Sequence, residues 1–160
     1  MIRSVLPDDV PTLHALICEL AEFEKLRHAV TAGEADLQRA LFGERPSAEA
    51  ILAEVEGAGS EKQAAGFALY FQNYSTFVGK PGLYLEDLYV RPAARGSGVG
   101  RALFVEVARR AHERGCGRME WTALEWNERA IRFYEGLGAC QKSDWRLFRL
   151  DQQGLAALTK

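Results

Sequence analysis

The sequence predicts a single α/β domain over residues 1–160, built on a mixed β-sheet, and three observations lead to that prediction. The 160 residues are 48% hydrophobic and 26% charged, which is the composition of one globular domain that can bury a core. Segments with the hydrophobic period of a helix alternate along the chain with segments typical of strands. Two of the strands are joined through a helix, a connection that lets them lie parallel.

The N-terminal part of the chain predicts one strand and two helices. Ile2 to Val5 can form the strand, and apolar residues recur at helical spacing from Val10 to Phe23, in a helix that reaches about Lys25. The series Thr31-Ala32-Gly33-Glu34 has the form of a capping box, which predicts that a second helix begins there. Gly43 to Pro46 ends that helix.

The middle of the chain predicts an antiparallel meander of three strands. Ala50 to Val55 and Ala64 to Tyr70 have strand character, and the turn-rich stretch from Glu56 to Lys62 separates them. The third strand runs from Leu83 to Val90, after a stretch that contains two glycines and a proline.

The C-terminal part predicts helices and strands in alternation. Arg101 to Arg114 is the most regular helix, because its apolar residues line one face and its charged residues the other. Alternation from Met119 to Ala123 predicts a strand parallel to the third strand of the meander. Asn127 is the predicted N-cap of a helix through Leu137, and Trp145 to Leu150 is predicted to form the last strand.

Charge and composition exclude several classes of partner. Twenty Lys and Arg against 22 Asp and Glu give a net charge of −2, which argues against binding to nucleic acid or to an anionic membrane. No stretch approaches the ~20 apolar residues of a membrane span, and the N-terminus lacks the features of a signal peptide. The three cysteines are odd in number and lack ligand spacing, so they predict free thiols, a cytoplasmic protein and no metal site.

One segment stands out as a candidate ligand site. Between the third meander strand and the helix from Arg101, residues Arg95 to Arg101 have the sequence RGSGVGR. Alternating glycines let the backbone turn tightly, and the positive end of the following helix favours an anion, so the loop predicts a phosphate or pyrophosphate site. The dinucleotide fingerprint and the Walker A loop both fail on spacing. The loop does fit RxxGxG, with Arg95, Gly98 and Gly100 at the defining positions.

Placed after YLEDLYV (Tyr84 to Val90), this loop resembles the pyrophosphate loop of the GNAT superfamily of acetyl-CoA-dependent N-acetyltransferases. The chain is also similar to the diamine acetyltransferase branch, which includes spermidine/spermine and thialysine acetyltransferases, in AEFEKL (Ala21 to Leu26), LEWNERAIRFYEGLGA (Leu124 to Ala139) and WRLF (Trp145 to Phe148). The resemblance covers nearly the whole chain. It implies the GNAT fold, a mixed, mostly antiparallel sheet whose parallel pair splays around the cofactor, flanked by about four helices.

The resemblance also implies which residues contact acetyl-CoA, the expected cosubstrate. Backbone N–H groups of Leu88, Tyr89 and Val90 would hold the thioester carbonyl and the pantetheine arm. Asn127 and Tyr134 would lie along the same arm, although Asn127 is equally explained by its capping role. The pyrophosphate would be held by the loop residues Arg95, Gly96, Ser97, Gly98, Val99, Gly100 and Arg101.

Acetyl transfer to an amine requires a base and an acid. An alkyl ammonium with a pKa near ~10 must lose a proton before its nitrogen can attack, and the resemblance makes Glu86 the base, acting through a water. The alternative is that Glu86 and Asp87 only bind a cation or form ion pairs. A thiolate leaving group needs a proton, and the resemblance makes Tyr134 its donor. The alternative for Tyr134 is a packing role in its helix.

The carboxylates of the chain suit an amine with a second positive charge. Ser75 stands where the polyamine branch carries an acid, and Leu124 stands where that branch carries a small residue. Both differences favour a thialysine-like or lysine-like amine over spermidine or spermine. That amine would attack acetyl-CoA directly in a ternary complex. The residues predicted to bind the substrate are Phe23, Glu24, Ser75, Phe77, Glu86, Asp87, Leu124 and Trp145.

Two further expectations complete the prediction. A protein with this fold that holds CoA as a catalytically silent sensor is the alternative of another class, and the presence of Glu86 and Tyr134 argues against it. The resemblance also implies a homodimer.

Overall fold

Five strands form one sheet, in chain order, in the computed structural model, which describes residues 1–57 and 61–159. The strands are β1 (Ile2–Ser4), β2 (Glu49–Glu56), β3 (Lys62–Ser75), β4 (Lys80–Val90) and β5 (Met119–Glu120). Strands β1 to β4 pair antiparallel with their neighbours, and β5 pairs parallel with β4. The predicted mixed sheet, its meander and its parallel pair are confirmed.

The residues that the structure describes also form five α-helices: α1 (Val10–Phe23), α2 (Glu34–Phe42), α3 (Val99–Glu113), α4 (Glu128–Gly136) and α5 (Gln152–Leu158). Short 3₁₀ turns occupy Pro7–Asp9, Arg27–Ala29 and Pro92–Ala94. Within the described ranges, no helix is long and apolar enough to cross a membrane.

The chain divides into two compact units, which we call the sheet unit (Met1–Thr122) and the helical unit (Ala123–Lys160). The sheet unit contains all five strands and α1 to α3. The helical unit contains α4 and α5 with the irregular segment between them.

The core of the sheet unit forms where the apolar stripe of α1 meets the sheet. Leu13 and Leu16 of α1 are fully buried, together with Leu52 of β2 and Phe67 of β3, and all four belong to one hydrophobic cluster. Full burial of such side chains stabilises a fold by about 1.5–3 kcal/mol each. This core therefore fixes α1 against β2 and β3 of the sheet.

Two predicted helix boundaries differ from the structure. Helix α3 begins at Val99, two residues before the predicted start. Helix α2 has Gly33 as its N-cap, and the Asp36 carboxylate accepts the Gly33 N–H at 2.9 Å, so the predicted capping box at Thr31 and Glu34 is wrong. Asp36 lies at N3 of the observed helix, where its carboxylate accepts the N–H of the N-cap Gly33, the role that Glu34 was expected to play toward Thr31.

The C-terminal prediction is also corrected. Residues 145–150 form no strand, and β5 ends at Glu120 rather than at Ala123. Alternation favours a strand only where a neighbouring strand can pair with it, and none of the described strands pairs with residues 145–150. Helix α5 was missed, although Asp151 caps it by accepting the Gly154 N–H at 2.8 Å. The turn predicted from Glu56 to Lys62 includes residues 58–60, which lie outside the described residues.

Candidate active site

Strand β4 has a paired side and an open side. Strand β3 pairs with it along nearly its whole length, whereas β5 pairs only with Leu83 and Tyr84. From Leu85 to Val90, no described strand pairs with the side of β4 on which β5 pairs with Leu83 and Tyr84. The backbone on this side is therefore available to a ligand that binds like an added strand.

Two of the three predicted backbone donors face the open side. The Arg91 N–H donates to the Ala65 carbonyl of β3 at 2.8 Å, so Arg91 faces β3. Since direction alternates along an antiparallel strand, the Tyr89 N–H also faces β3, while those of Leu88 and Val90 face away. Leu88 and Val90 can thus donate to a thioester carbonyl or an amide arm, and Tyr89 contributes chiefly its buried side chain.

A β-bulge lies where β4 presents its two carboxylates. The β3 partners of Leu85 and Asp87 are consecutive residues, so Glu86 is the extra residue of the bulge and has no partner on β3. Bulges bend a strand and redirect its side chains, and they occur often beside active sites. Glu86 is exposed and Asp87 half-buried at this bend.

Asp87 differs from an ordinary surface carboxylate. Burial, with the nearby negative charges of Glu86 and Glu24, raises its pKa from 3.8 to about 7. Burial also raises the pKa of Glu24, the C-cap of α1. In the described part of the chain, none of these three carboxylates forms an ion pair with Arg, Lys or His. The cluster therefore favours a cation that comes from outside the chain.

The glycine loop turns from β4 into α3. Gly96 and Gly98 have φ angles of +84° and +89°, a region that L side chains rarely adopt, and Gly98 is the N-cap of α3. The Ser97 hydroxyl donates to the Ala94 carbonyl at 2.7 Å, which closes the turn, and Arg101 is exposed on the first turn of α3. The first N–H groups of a helix lack intrahelical partners, so this turn can bind a pyrophosphate.

Ser75 and Phe77 do not lie beside the carboxylate cluster within the sheet unit. They occupy the turn of the β3–β4 hairpin, roughly 20 Å along the strand from Glu86 at about 3.3 Å per residue. Ser75 is only 2% exposed, and its hydroxyl oxygen accepts from the Val78 N–H and from Arg118 Nη1. Phe77 is 93% exposed.

The helical unit holds the remaining predicted residues. The Asn127 side chain caps α4 by accepting the Ala130 N–H at 3.2 Å, as predicted. Tyr134 lies half-buried on the same helix, with its ring centroid 5.2 Å from that of Phe133. Leu124 precedes this helix and its carbonyl accepts the Asn127 N–H, whereas Trp145 is 72% exposed in the irregular segment.

Sequence reasoning missed an ion pair that supports the site. Arg91, directly after β4, binds Glu19 of α1 with a shortest N–O distance of 2.6 Å, and its Nη1 donates to the Ala64 carbonyl. This pair holds α1 against the end of β4. A sequence feature that could have indicated this pair is that Glu19 lies four residues before Phe23 and therefore on the same face of α1.

Among residues 1–57 and 61–159, no group of three or more His, Cys, Asp or Glu side chains is arranged to hold a metal ion. The backbone N–H donors described above suit the carbonyl of an acyl thioester, and the carboxylates suit an ammonium.

Residues 13–139 match the Acetyltransferase (GNAT) family, and the chain belongs to this family. It is an N-acetyltransferase, and acetyl-CoA is the acetyl donor that this family uses. Thialysine N-epsilon-acetyltransferase of Bos taurus is 37% identical, over 99% of this chain and 96% of that protein. L-ornithine N5-acetyltransferase NATA1 of Arabidopsis thaliana is 35% identical, over 99% of this chain and 87% of that protein.

A solved structure has the same fold. An integron cassette protein from the mobile metagenome of V. cholerae superposes with a TM-score of 0.80 and is 29% identical, over 100% of this chain and 97% of that one. The GNAT fold and the family suggested by the sequence motifs are confirmed.

Proposed function

We propose that this single-domain enzyme acetylates the primary amine of a small lysine-like substrate, such as thialysine, lysine or ornithine, by direct attack on acetyl-CoA in a ternary complex. The observation that carries the proposal is the carboxylate cluster of Glu24 at the end of α1 and of Glu86 and Asp87 on the strand that leads into the glycine loop. In the described part of the chain, this cluster forms no ion pair with Arg, Lys or His. A substrate with two positive charges would supply the missing cations.

The cofactor arm fits the open side of β4. Leu88 and Val90 direct N–H groups to that side, and two glycines with positive φ and the start of α3 follow within the same run of chain. Acetyl-CoA supplies an activated acetyl group as a thioester when bound. The outward N–H groups would hold its carbonyl and stabilise the negative charge that develops there during attack.

Glu86 is the proposed base, acting through a water, and Asp87 the proposed anchor of the ammonium. The ammonium gives one proton to the base, its nitrogen forms a bond to the carbonyl carbon and then releases a second proton to solvent, and the carbon–sulfur bond breaks. Tyr134 then donates its phenolic proton to the departing thiolate and recovers one from solvent. The products are the acetylated amine and free CoA.

The pH dependence follows from Asp87. Its pKa of about 7 means that it becomes protonated as the pH falls through neutrality and then holds a cation less strongly. We therefore expect the KM for the amine to rise below about pH 7.

The relatives support a short amine over a polyamine. The two relatives compared above are named for thialysine and for L-ornithine, which carry an amine near an α-amino acid group. Leu124 in place of the polyamine branch's small residue favours the same class. Phe23 beside Glu24 would contact the alkyl chain. Ser75, Phe77 and Trp145 stay sequence predictions, because Ser75 and Phe77 lie at the far end of the β3–β4 hairpin from Glu86.

The deciding experiment measures acetyl transfer by mass spectrometry, with acetyl-CoA and a panel of thialysine, lysine, ornithine, spermidine, spermine and peptides with free N-termini. We expect the short diamino acids to give the highest kcat/KM. Preferred acetylation of spermidine would overturn the substrate class. No product from any amine, with CoA still bound, would favour the sensor.

Matched variants separate the roles within the site. Tyr134→Phe should lower kcat by about 10²-fold while leaving the Kd for acetyl-CoA nearly unchanged, and Glu86→Gln should lower kcat by a similar factor. Tyr84→Phe is the control, because it removes a phenolic hydroxyl from a ring that stacks on Phe71 of β3. A kcat of Tyr134→Phe equal to that of the wild type would exclude Tyr134 as the acid.

The homodimer and the cytoplasmic location are part of the same proposal. Light scattering after size-exclusion chromatography should give twice the chain mass of 17.8 kDa. Fractionation of cells that express the tagged protein tests the location.

A further inference from the structure

The side chain of Arg95, the first residue of the glycine loop, is directed toward α1 and β4. Its Nε donates to the Val90 carbonyl at 2.9 Å. Its guanidinium carbon lies 4.7 Å from the ring centroid of Phe23 and 5.7 Å from that of Tyr89. The flat cation thus lies against two aromatic rings and one strand carbonyl, which is a cation–π arrangement with an added hydrogen bond.

Each partner of Arg95 belongs to a different part of the proposed site. Val90 ends the open side of β4, where the cofactor arm would bind. Phe23 is the last residue of α1, and Glu24, which follows it, contributes charge to the carboxylate cluster. One side chain therefore connects the glycine loop with the helix end that carries Glu24.

We propose that Arg95 is a positioning residue for the amine: its guanidinium holds Phe23, and with it Glu24, in place beside the cluster and ties this helix end to the glycine loop. The inference rests on the proposed function. It differs from the sequence expectation for Arg95, which was a contact with the pyrophosphate.

Helix α1 does not depend on Arg95 for its attachment. Leu13, Leu16 and Leu20 bury its body in the core, and Glu19 binds Arg91 one turn before Phe23. Beyond Phe23 the chain leaves the helix at Lys25, which has a φ of +62°. Removal of the Arg95 side chain should therefore loosen only the last turn of α1 and leave the fold intact.

The first test compares Arg95→Met, Phe23→Leu and the double variant, with acetyl-CoA and the amine that the wild type prefers. We expect each single change to raise the KM for the amine by about 10-fold and the Kd for acetyl-CoA by less than about 3-fold. The double variant should be no worse than the worse single one, because both changes break the same contact. Arg39→Met, an exposed arginine of α2, is the control.

Arg95→Lys provides a graded comparison. An ammonium keeps the charge but lacks the planar face and the Nε donor, so the amine KM should fall between those of the wild type and Arg95→Met. If Arg95→Met lowers the melting temperature markedly, the kinetic comparison is made with Arg95→Lys instead.

Hydrogen exchange provides a readout that needs no turnover. The N–H groups of Lys25 and Leu26 bond to the Glu22 and Ala21 carbonyls and close the end of α1. Their exchange should quicken in Arg95→Met, while that of Leu16 in the core stays unchanged. This measurement remains decisive even if the wild type acetylates none of the amines tested.

Two results would overturn the inference. One is a higher Kd for acetyl-CoA in Arg95→Met with an unchanged KM for the amine, which would indicate that Arg95 binds the pyrophosphate. The other is unchanged exchange at Lys25 and Leu26 together with additive effects of the two substitutions on the amine KM. Failure of the wild type to acetylate any amine would instead refute the proposed function.

Discussion

The two units of the chain stabilise their functional residues in different ways. In the sheet unit, Glu86, Asp87 and the glycine loop are held by strand pairing and by a core whose central side chains are fully buried. In the helical unit, no described residue is buried, and Asn127 and Tyr134 are positioned by one capped helix. Its large apolar side chains are instead exposed: Trp126, Trp145, Leu147, Phe148, Leu150, Leu155 and Leu158.

The comparison shows that residues of a family motif can lie in a unit that has few tertiary contacts to hold them in place. The helical unit has strong matches to the family motifs, yet its geometry rests on local interactions such as the cap of α4. In the sheet unit, residues distant in sequence hold β4 from several sides. The directions of its backbone N–H groups and the positions of its carboxylates are therefore fixed by tertiary contacts. Changes of the same chemical type should therefore have unequal effects in the two units.

The largest expected contrast is between two phenylalanines. Phe67→Ala, at a position with 0% exposure in β3, should lower the free energy of unfolding by about 3–5 kcal/mol. Phe148→Ala, at a position with 88% exposure, should change it by less than about 0.5 kcal/mol. Chemical denaturation followed by circular dichroism measures both, and a cost above about 2 kcal/mol for Phe148→Ala would mean that its ring is covered in solution.

The second contrast concerns pH. The pKa of Asp87 is about 7 in the folded protein, because burial and the nearby carboxylates raise it from the usual 3.8 of an aspartate. The folded protein therefore binds this proton more tightly than the unfolded chain does. Stability is therefore lost as the pH rises from about 4 to 7, and the penalty is complete above the folded pKa. Asp87→Asn should stabilise the protein at pH 8, by on the order of a few kcal/mol, and hardly at pH 4.

Thermal melts at pH 4 and pH 8 measure this effect. Asp144→Asn, in the exposed segment of the helical unit, is the matched control and should show no such pH-dependent gain. A gain for Asp87→Asn that is equal at both pH values would contradict the elevated pKa of Asp87.

The third contrast compares two glycines with left-handed backbone. Gly98 has a φ of +89° and Gly138 a φ of +91°, so an alanine at either position should destabilise the protein by about 1–2 kcal/mol. Only Gly98→Ala should also raise the KM for acetyl-CoA, because Gly98 is the N-cap of α3 in the proposed pyrophosphate loop. If Gly98→Ala and Gly138→Ala changed the KM for acetyl-CoA equally, Gly98 would have no specific role in binding acetyl-CoA.

The smallest contrast is between two arginines. Arg3 binds Asp9 and Glu54, whose side chains are only 17% and 11% exposed, so Arg3→Ala leaves two largely buried carboxylates without their cationic partner and should cost about 1 kcal/mol. Arg132 pairs with Glu128 at 3.2 Å, with both side chains more than 70% exposed, and Arg132→Ala should cost less than about 0.5 kcal/mol. Urea unfolding compares the two, and equal costs would show that burial does not distinguish these pairs.

Much of the fold could be predicted because the signals were local. The stripe of α1, the meander and the cap of α4 each depend on residues a few positions apart, and the structure has all three. The strand expected at residues 145–150 failed for the opposite reason. Its alternation is a local signal, but a strand also needs a partner that local sequence does not specify.

The site could be predicted in part. Glu86, Asp87 and the glycine loop do lie on one continuous run of β4 and α3, as their order along the chain suggested. Ser75 and Phe77 lie at the far end of the hairpin, because both strands of the hairpin extend beyond the predicted bounds. The pairing of Glu19 with Arg91 joins residues 72 positions apart and left only a faint signal on the face of α1.

The sequence by itself determined the class of the fold, the order of its elements as far as α4 and the family, since these depend on periodicity and on motifs within short stretches of chain. Only the tertiary structure decided that Glu86 is the extra residue of a bulge, that Leu88 and Val90 rather than Tyr89 face the open side of β4, and that Arg95 lies against Phe23. Strand register and the packing of α1 against β4 set these features. Both depend on contacts between residues far apart in the chain, which no local pattern encodes.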